Sequence, residues 1–167
     1  DGTIKEAVEA SLNYGGKVMV DLLEASATVQ RAKEVEGLGA HYIGIHIPID
    51  KQMKGEISFD FLREITSVVN VPVAVAGGIN SENVVEAIKS GASILIVGGA
   101  ITKAEDVKKA VKTIKEAIEK KTGIKTELYK RVSLPDVKDI FLRVSTANIS
   151  DALHRSGWLK EVFPVWD

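Results

Sequence analysis

The chain has 167 residues, enough for one domain with a sizeable core and too few for two complete ones. Its 22 Lys+Arg against 23 Asp+Glu leave a net charge of −1, which gives no sequence-independent pull toward a phosphodiester backbone or an anionic bilayer, so neither nucleic acid nor membrane is expected as a partner. The absence of cysteine excludes disulfides and thiolate sites, no apolar run nears the roughly 20 residues of a membrane span, and the first apolar stretch lies on a charged helix rather than in a secretory signal; the expectation is a cytoplasmic protein.

Short aliphatic runs alternate with amphipathic segments. Thr3 to Glu6 reads as a capping box opening a helix that carries Ala7, Val8 and Leu12 to the Gly15-Gly16 stop. A strand is predicted over Lys17 to Leu22, then a helix marked by Val29, Ala32 and Val35 and ended by Gly37 or Gly39. Tyr42 to Ile47 is the second strand, and the helix from Ser58 to Val69 buries Phe61, Leu62, Ile65 and Val69. Pro72 to Ala76 is the third strand, followed by Gly77-Gly78 and a short helix from Ser81 to Ser90. Ile94 to Val97 is the fourth, followed by Gly98-Gly99, and Thr102 with Glu105 reads as a capping box opening a helix to Lys120.

Strands aliphatic at nearly every position are covered on both faces, as parallel strands between helices must be. Four such βα units are half of a (β/α)8 TIM barrel, which usually takes about 200 to 250 residues. The fold class is therefore α/β: a partial barrel over residues 1–121, a linker over 122–132 and a different, short helical segment over 133–167. In that last segment Ser133 and Asp136 flank Pro135 in a capping box, and Val137, Ile140, Phe141 and Val144 fall at helical spacing.

The two glycine pairs each follow a strand directly. Glycine lets a backbone approach an anion closely, and helix N-termini beyond each pair would aim unpaired N–H groups at it, so Gly77, Gly78, Gly98 and Gly99 are the candidate phosphate site. The bland alternative is a pair of tight βα turns. His46 closes the second strand, where barrel chemistry concentrates and where the sequence passes from apolar to polar, so it is the candidate acid/base. Asp21 ends the first strand, where a carboxylate is costly unless it is paired or faces a polar cavity; it is expected to face the barrel mouth or to brace a loop. Asp50 and Gln52 either shape the loop after His46 or solvate it. His41 and His154 are expected to be solvated surface residues.

With these pieces in place the chain resembles the orotidine 5′-phosphate decarboxylase suprafamily, and within it the hexulose-6-phosphate synthases. The resemblance is carried by Val18-Met-Val-Asp21-Leu, His46-x-x-x-Asp50-x-Gln52, Val73-Ala-Val-Ala-Gly-Gly-Ile79 and Ile96-Val-Gly-Gly-Ala-Ile-Thr102, in that order. It implies that these strands are barrel strands 5 to 8, and that His46, Asp50 and Asp21 are catalytic. The implied reaction is aldol condensation of formaldehyde with D-ribulose 5-phosphate, or its reverse, with Mg²⁺ as cofactor. The related 3-keto-L-gulonate-phosphate decarboxylases carry an Arg before the position of Asp50 and usually another after the second glycine turn; this chain has Ile49 and Ala100, which favours the synthase over that decarboxylase or an orotidine-phosphate one. A non-catalytic regulatory or binding fragment is the reading from a different class.

The acidic metal ligands and the Asp-x-Lys-x-x-Asp signature that the resemblance implies would lie upstream of Asp1; Asp106-Val-Lys108 and Asp136-Val-Lys138 are decoys on predicted helices. No metal ligand is therefore assigned in this chain. The intact parent is expected to be a homodimer acting on a small sugar phosphate, and the fragment to be inactive alone. Arg143-Val-Ser-Thr-Ala-Asn-Ile-Ser-Asp-Ala-Leu-His154 resembles the opening of the regulator of ribonuclease activity A family.

Overall fold

The computed structural model describes residues 1–23, 28–48 and 57–125. The chain divides into two compact units, Asp1–Tyr129 and Lys130–Asp167, and all the described residues belong to the first. The predicted helices beyond residue 133, with His154, lie outside the described residues, as do Asp50 and Gln52.

The elements run α1 (Gly2–Tyr14), β1 (Met19–Asp21), α2 (Thr28–Gly37), β2 (Tyr42–His46), α3 (Asp60–Thr66), β3 (Val73–Ala76), α4 (Val84–Lys89), β4 (Ile94–Ile96), α5 (Gly99–Thr102) and α6 (Val107–Lys120). The four strands form one parallel sheet in the order β1-β2-β3-β4. Each of the steps from β1 to β2 and from β3 to β4 crosses one helix, the repeat that the aliphatic runs predict.

Register sorts the strand residues onto two unlike faces. Val20, Ile43 and Val73 stand in one row and Ile45, Val75 and Leu95 in the next. These side chains join Ala32 and Val35 of α2, Leu62 and Ile65 of α3, Val84 and Ala87 of α4 and Ile114 and Ala117 of α6 in one apolar cluster. Fully burying an aliphatic side chain of this size contributes about 1.5 to 3 kcal/mol, so this face holds the sheet to its helices. The other face carries Met19, Asp21, Gly44, His46, Ala74, Ala76, Ile94 and Ile96. Its middle is lined by small residues, and Met19, Ile94 and Ile96 at its flanks are exposed.

Two polar devices set the strand positions. The Glu36 carboxylate accepts the Asn70 and Val71 N–H groups at 2.6 and 3.0 Å, fixing the approach to β3. The Val18 N–H donates to His41 Nδ1 at 3.0 Å, while the His41 and Tyr42 N–H groups donate back to the Val18 carbonyl. His41 is thus half-buried and engaged, not the solvated residue its position before a strand suggests; a ring nitrogen at a strand start can take an N–H that the ladder has not yet claimed.

Helix starts depart from the capping boxes. Thr3 lies inside α1, whose N-cap is Asp1 and makes no side-chain cap, because Asp1 pairs with Arg31 at 2.8 Å instead. Thr102 ends α5 rather than opening the long helix; α6 starts at Val107, with Asp106 accepting the Lys109 N–H at 2.9 Å. Asp106 is therefore a helix cap, in keeping with its reading as a decoy.

Candidate functional site

All four strands point the same way, so their C-terminal ends lie along one edge of the sheet. At that edge His46, Ala76 and Ile96 stand in one row, with Asp21, Gly44, Ala74 and Ile94 two residues below. Asp21 and His46 are diagonal neighbours on the open face, with Asp21 Oδ2 3.8 Å from His46 Nδ1. That separation is too long for a hydrogen bond, and both side chains are roughly half exposed, at 51% and 42%. Asp21 Oδ1 accepts the Leu23 N–H at 2.9 Å, so one oxygen braces the turn after β1 while the other faces the imidazole. Asp21 therefore braces the turn after β1 and stands on the open face of the sheet. Gly44 lies closely against Asp21 in the ladder, where an added Cβ would meet the Asp21 Cα at 3.3 Å.

The β3 end is built from backbone. Gly77 and Gly78 take φ of 93° and 71°, consecutive left-handed conformations that an L side chain resists. The loop beyond them is held by two asparagines that the sequence reading passed over. Asn83 Nδ2 donates to the Gly78 carbonyl at 3.0 Å and Asn80 Nδ2 reaches the same oxygen at 3.4 Å. Asn83 Oδ1 accepts the Asn80 N–H at 2.9 Å, and Asn80 Oδ1 accepts the Glu82 N–H at 2.8 Å. Ser81 is buried, and it exchanges bonds with Ile124: its hydroxyl donates to the Ile124 carbonyl at 2.7 Å and its carbonyl accepts the Ile124 N–H at 2.8 Å.

This arrangement corrects one expectation. The helix after the first glycine pair begins at Val84, not Ser81, because Asn80 to Asn83 form their own side-chain turn. The Gly77-Gly78 amides therefore do not sit on a helix N-terminus, and what they offer is peptide N–H groups alone. The second pair differs: Gly98 is the N-cap of α5, whose single turn accepts the Ile101 and Thr102 N–H groups on the Gly98 carbonyl at 2.9 and 3.1 Å. A Cβ added at Gly98 would meet nothing within 4 Å.

The structure thus brings together Asp21, His46 and the two glycine turns along one edge. Among the described residues no cluster of three or more His, Asp or Glu could hold a metal ion, and Asp21, with one oxygen on Leu23, supplies a single free carboxylate oxygen. The described residues do not fit a Mg²⁺ site by themselves. No helix among them is long and apolar enough to cross a membrane.

A parallel βα sheet with Asp21, His46 and paired glycine turns at its C-terminal strand ends has the architecture of a barrel-type α/β protein. Residues 1–114 match the orotidine 5′-phosphate decarboxylase / HUMPS family, and the chain belongs to it. A 3-hexulose-6-phosphate synthase of Staphylococcus epidermidis is 39% identical over 122 residues, which cover 72% of this chain and 58% of that protein. A crystal structure of 3-hexulose-6-phosphate synthase superposes with a TM-score of 0.63 at 34% identity, covering 70% of this chain and 56% of the other. The synthase of Salmonella typhimurium superposes with a TM-score of 0.65 at 30% identity, over 71% of this chain and 57% of the other. The chain thus spans a little over half the length of the relatives it matches.

Proposed function

We propose that residues 1–121 are strands 5 to 8 of a (β/α)8 barrel, the C-terminal half of a 3-hexulose-6-phosphate synthase, and that the open sheet face is the barrel interior. The observation that carries this reading is the shared edge: His46 and Asp21 on the open face, beside two glycine turns on adjacent strands. The similarity to synthases supports the choice of substrate, D-ribulose 5-phosphate and formaldehyde.

In this reading the glycine turns take the phosphate, and the sugar carbons extend along the edge toward β2. Condensation needs a proton removed from the hydroxymethyl carbon beside the ketone, attack of the resulting enediolate on the formaldehyde carbon, and a proton returned to the new alkoxide. His46 is the group placed to move those protons, and Asp21 offers it a negative neighbour as the imidazole becomes charged. Mg²⁺, which the resemblance implies, would stabilise the enediolate charge; its ligands belong to the upstream half, and no step above is assigned to it. Asp50, also catalytic by resemblance, follows His46 by four positions in the sequence. The intact parent is a cytoplasmic homodimer in this proposal. Residues 133–167 begin a module like the regulator of ribonuclease activity A, joined through the linker over 122–132.

The test is direct. The purified 167-residue chain is expected to release no formaldehyde from hexulose 6-phosphate in Mg²⁺, whereas a chain carrying all eight βα units is expected to release it. Mg²⁺-dependent release by the short chain would overturn the half-barrel assignment of the chemistry. A complete chain that only decarboxylates a phosphorylated acid would overturn the synthase reading.

A further inference from the structure

We propose that Asn83, with Asn80 in a supporting part, is a positioning residue that pre-orients the Gly77-Gly78 turn for a phosphate monoester; this rests on the phosphate reading above. The argument begins with glycine. Two consecutive glycines can rotate their peptides at little steric cost, so the turn could present a carbonyl to an anion as easily as an N–H. A carbonyl oxygen facing the phosphate would repel it.

The asparagines remove that choice. The Gly78 carbonyl is held by Asn83 Nδ2 at 3.0 Å and approached by Asn80 Nδ2 at 3.4 Å. Because the peptide is planar and trans, fixing that oxygen on the asparagine side directs the Ile79 N–H the opposite way. The Asn83 amide also accepts the Asn80 N–H at 2.9 Å, so one side chain fixes two successive peptides. Asn83 cannot turn its amide over without losing both bonds, since each end is matched to the opposite kind of partner. Ser81 anchors the same loop from behind through Ile124. The Gly78 and Ile79 N–H groups have no acceptor among the described residues, which is the state an anion site requires before its ligand arrives, while Gly77 continues the β3–β4 ladder past the Ala76–Ile96 pair. No such clamp touches Gly98 or Gly99: among the described residues the bonds to that turn come from α5 and from Lys103 and Thr102 just along the chain.

The experiment is a titration of inorganic phosphate into the ¹⁵N-labelled 167-residue chain, following the amides of both turns, for the unaltered protein and for Asn83→Ala. In the unaltered protein phosphate is expected to shift Gly77, Gly78 and Ile79 together with Gly98 and Gly99. In Asn83→Ala the apparent Kd is expected to rise about tenfold, the size of one lost hydrogen bond. At saturation the shifts at Gly77 to Ile79 should be lost while those at Gly98 and Gly99 persist. A general loosening of the fold would weaken both turns alike, so the local loss separates positioning from mere stability. An unchanged Kd and shift pattern in Asn83→Ala would overturn the clamp while leaving the phosphate reading intact. No shift at either turn in the unaltered protein would overturn the phosphate reading itself. Should Asn83→Ala fail to fold, Asn80→Ala, which touches the same carbonyl through the longer bond, is expected to raise Kd by a smaller factor, and an unchanged Kd there would sink the proposal.

Discussion

Along the C-terminal edge of the sheet, β1 and β2 end in side chains that can carry a proton, Asp21 and His46, whereas β3 and β4 run into glycines whose only chemistry is their peptide groups. The two pairs are also held differently. His46 and Asp21 are half exposed and 3.8 Å apart, with room to reorient, while the Gly77-Gly78 loop is fixed by two asparagines and a buried serine. Under the proposed function the contrast matches the tasks. A proton carrier has to meet donor and acceptor in turn, so slack costs it little; a set of dipoles that binds a fixed charge works best when it does not reorganise.

The comparison can be broken at its strongest point first. In a chain carrying the complete barrel, His46→Asn is expected to lower turnover by roughly 10² to 10⁴ with the melting midpoint nearly unchanged. A large fall in melting temperature with turnover retained would make the ring structural and leave the β1–β2 end without its chemistry. Asp21→Asn keeps an oxygen for the Leu23 N–H but removes the charge facing His46, so a smaller loss of turnover is expected than for His46→Asn, again without unfolding. Equal losses would mean that the two act as one unit.

On the other side of the comparison, Gly77→Ala places a methyl at φ 93°, which costs roughly 1 to 2 kcal/mol and should lower the melting midpoint by several degrees as well as weakening phosphate. Gly98→Ala sharpens the contrast. Its Cβ would meet open space, so stability should stay within about 0.5 kcal/mol, and any loss of phosphate affinity would report the anion's own closeness to that backbone. Calorimetry for stability and the phosphate titration for affinity separate the two effects.

Much of this was legible in the residues. The strands stand within one or two positions of the runs Lys17 to Leu22, Tyr42 to Ile47, Pro72 to Ala76 and Ile94 to Val97, because aliphatic runs flanked by glycine, proline and charge have few other places to go. Helix starts were less legible. Thr102 and Glu105 satisfy the spacing of a capping box, yet Thr102 closes the single turn of α5 and α6 starts only at Val107, and nothing in that four-residue pattern encodes α5. At the site, the glycine pairs stand out because two of them occupy equivalent places after strands, and His46 because it closes an otherwise apolar run. Asn80 and Asn83 were missed although asparagine after a glycine pair is itself a turn signal; Ser81 drew the helix start to itself, while the side chains around it formed a local loop instead.

The reciprocal bonds between Ser81 and Ile124 give the molecule a mechanical property. Ile124 lies just beyond α6, and Gly123 beside it packs so closely on the Glu82 carbonyl that a methyl would not fit. Tension applied to the chain past Lys125 is therefore carried first by Ser81, then by the asparagine loop, and only afterwards by a strand. A pull at that point would thus reach the Gly77-Gly78 turn through Ser81 and the asparagines beside it, which makes the C-terminal side of α6 and the β3 loop one mechanical unit.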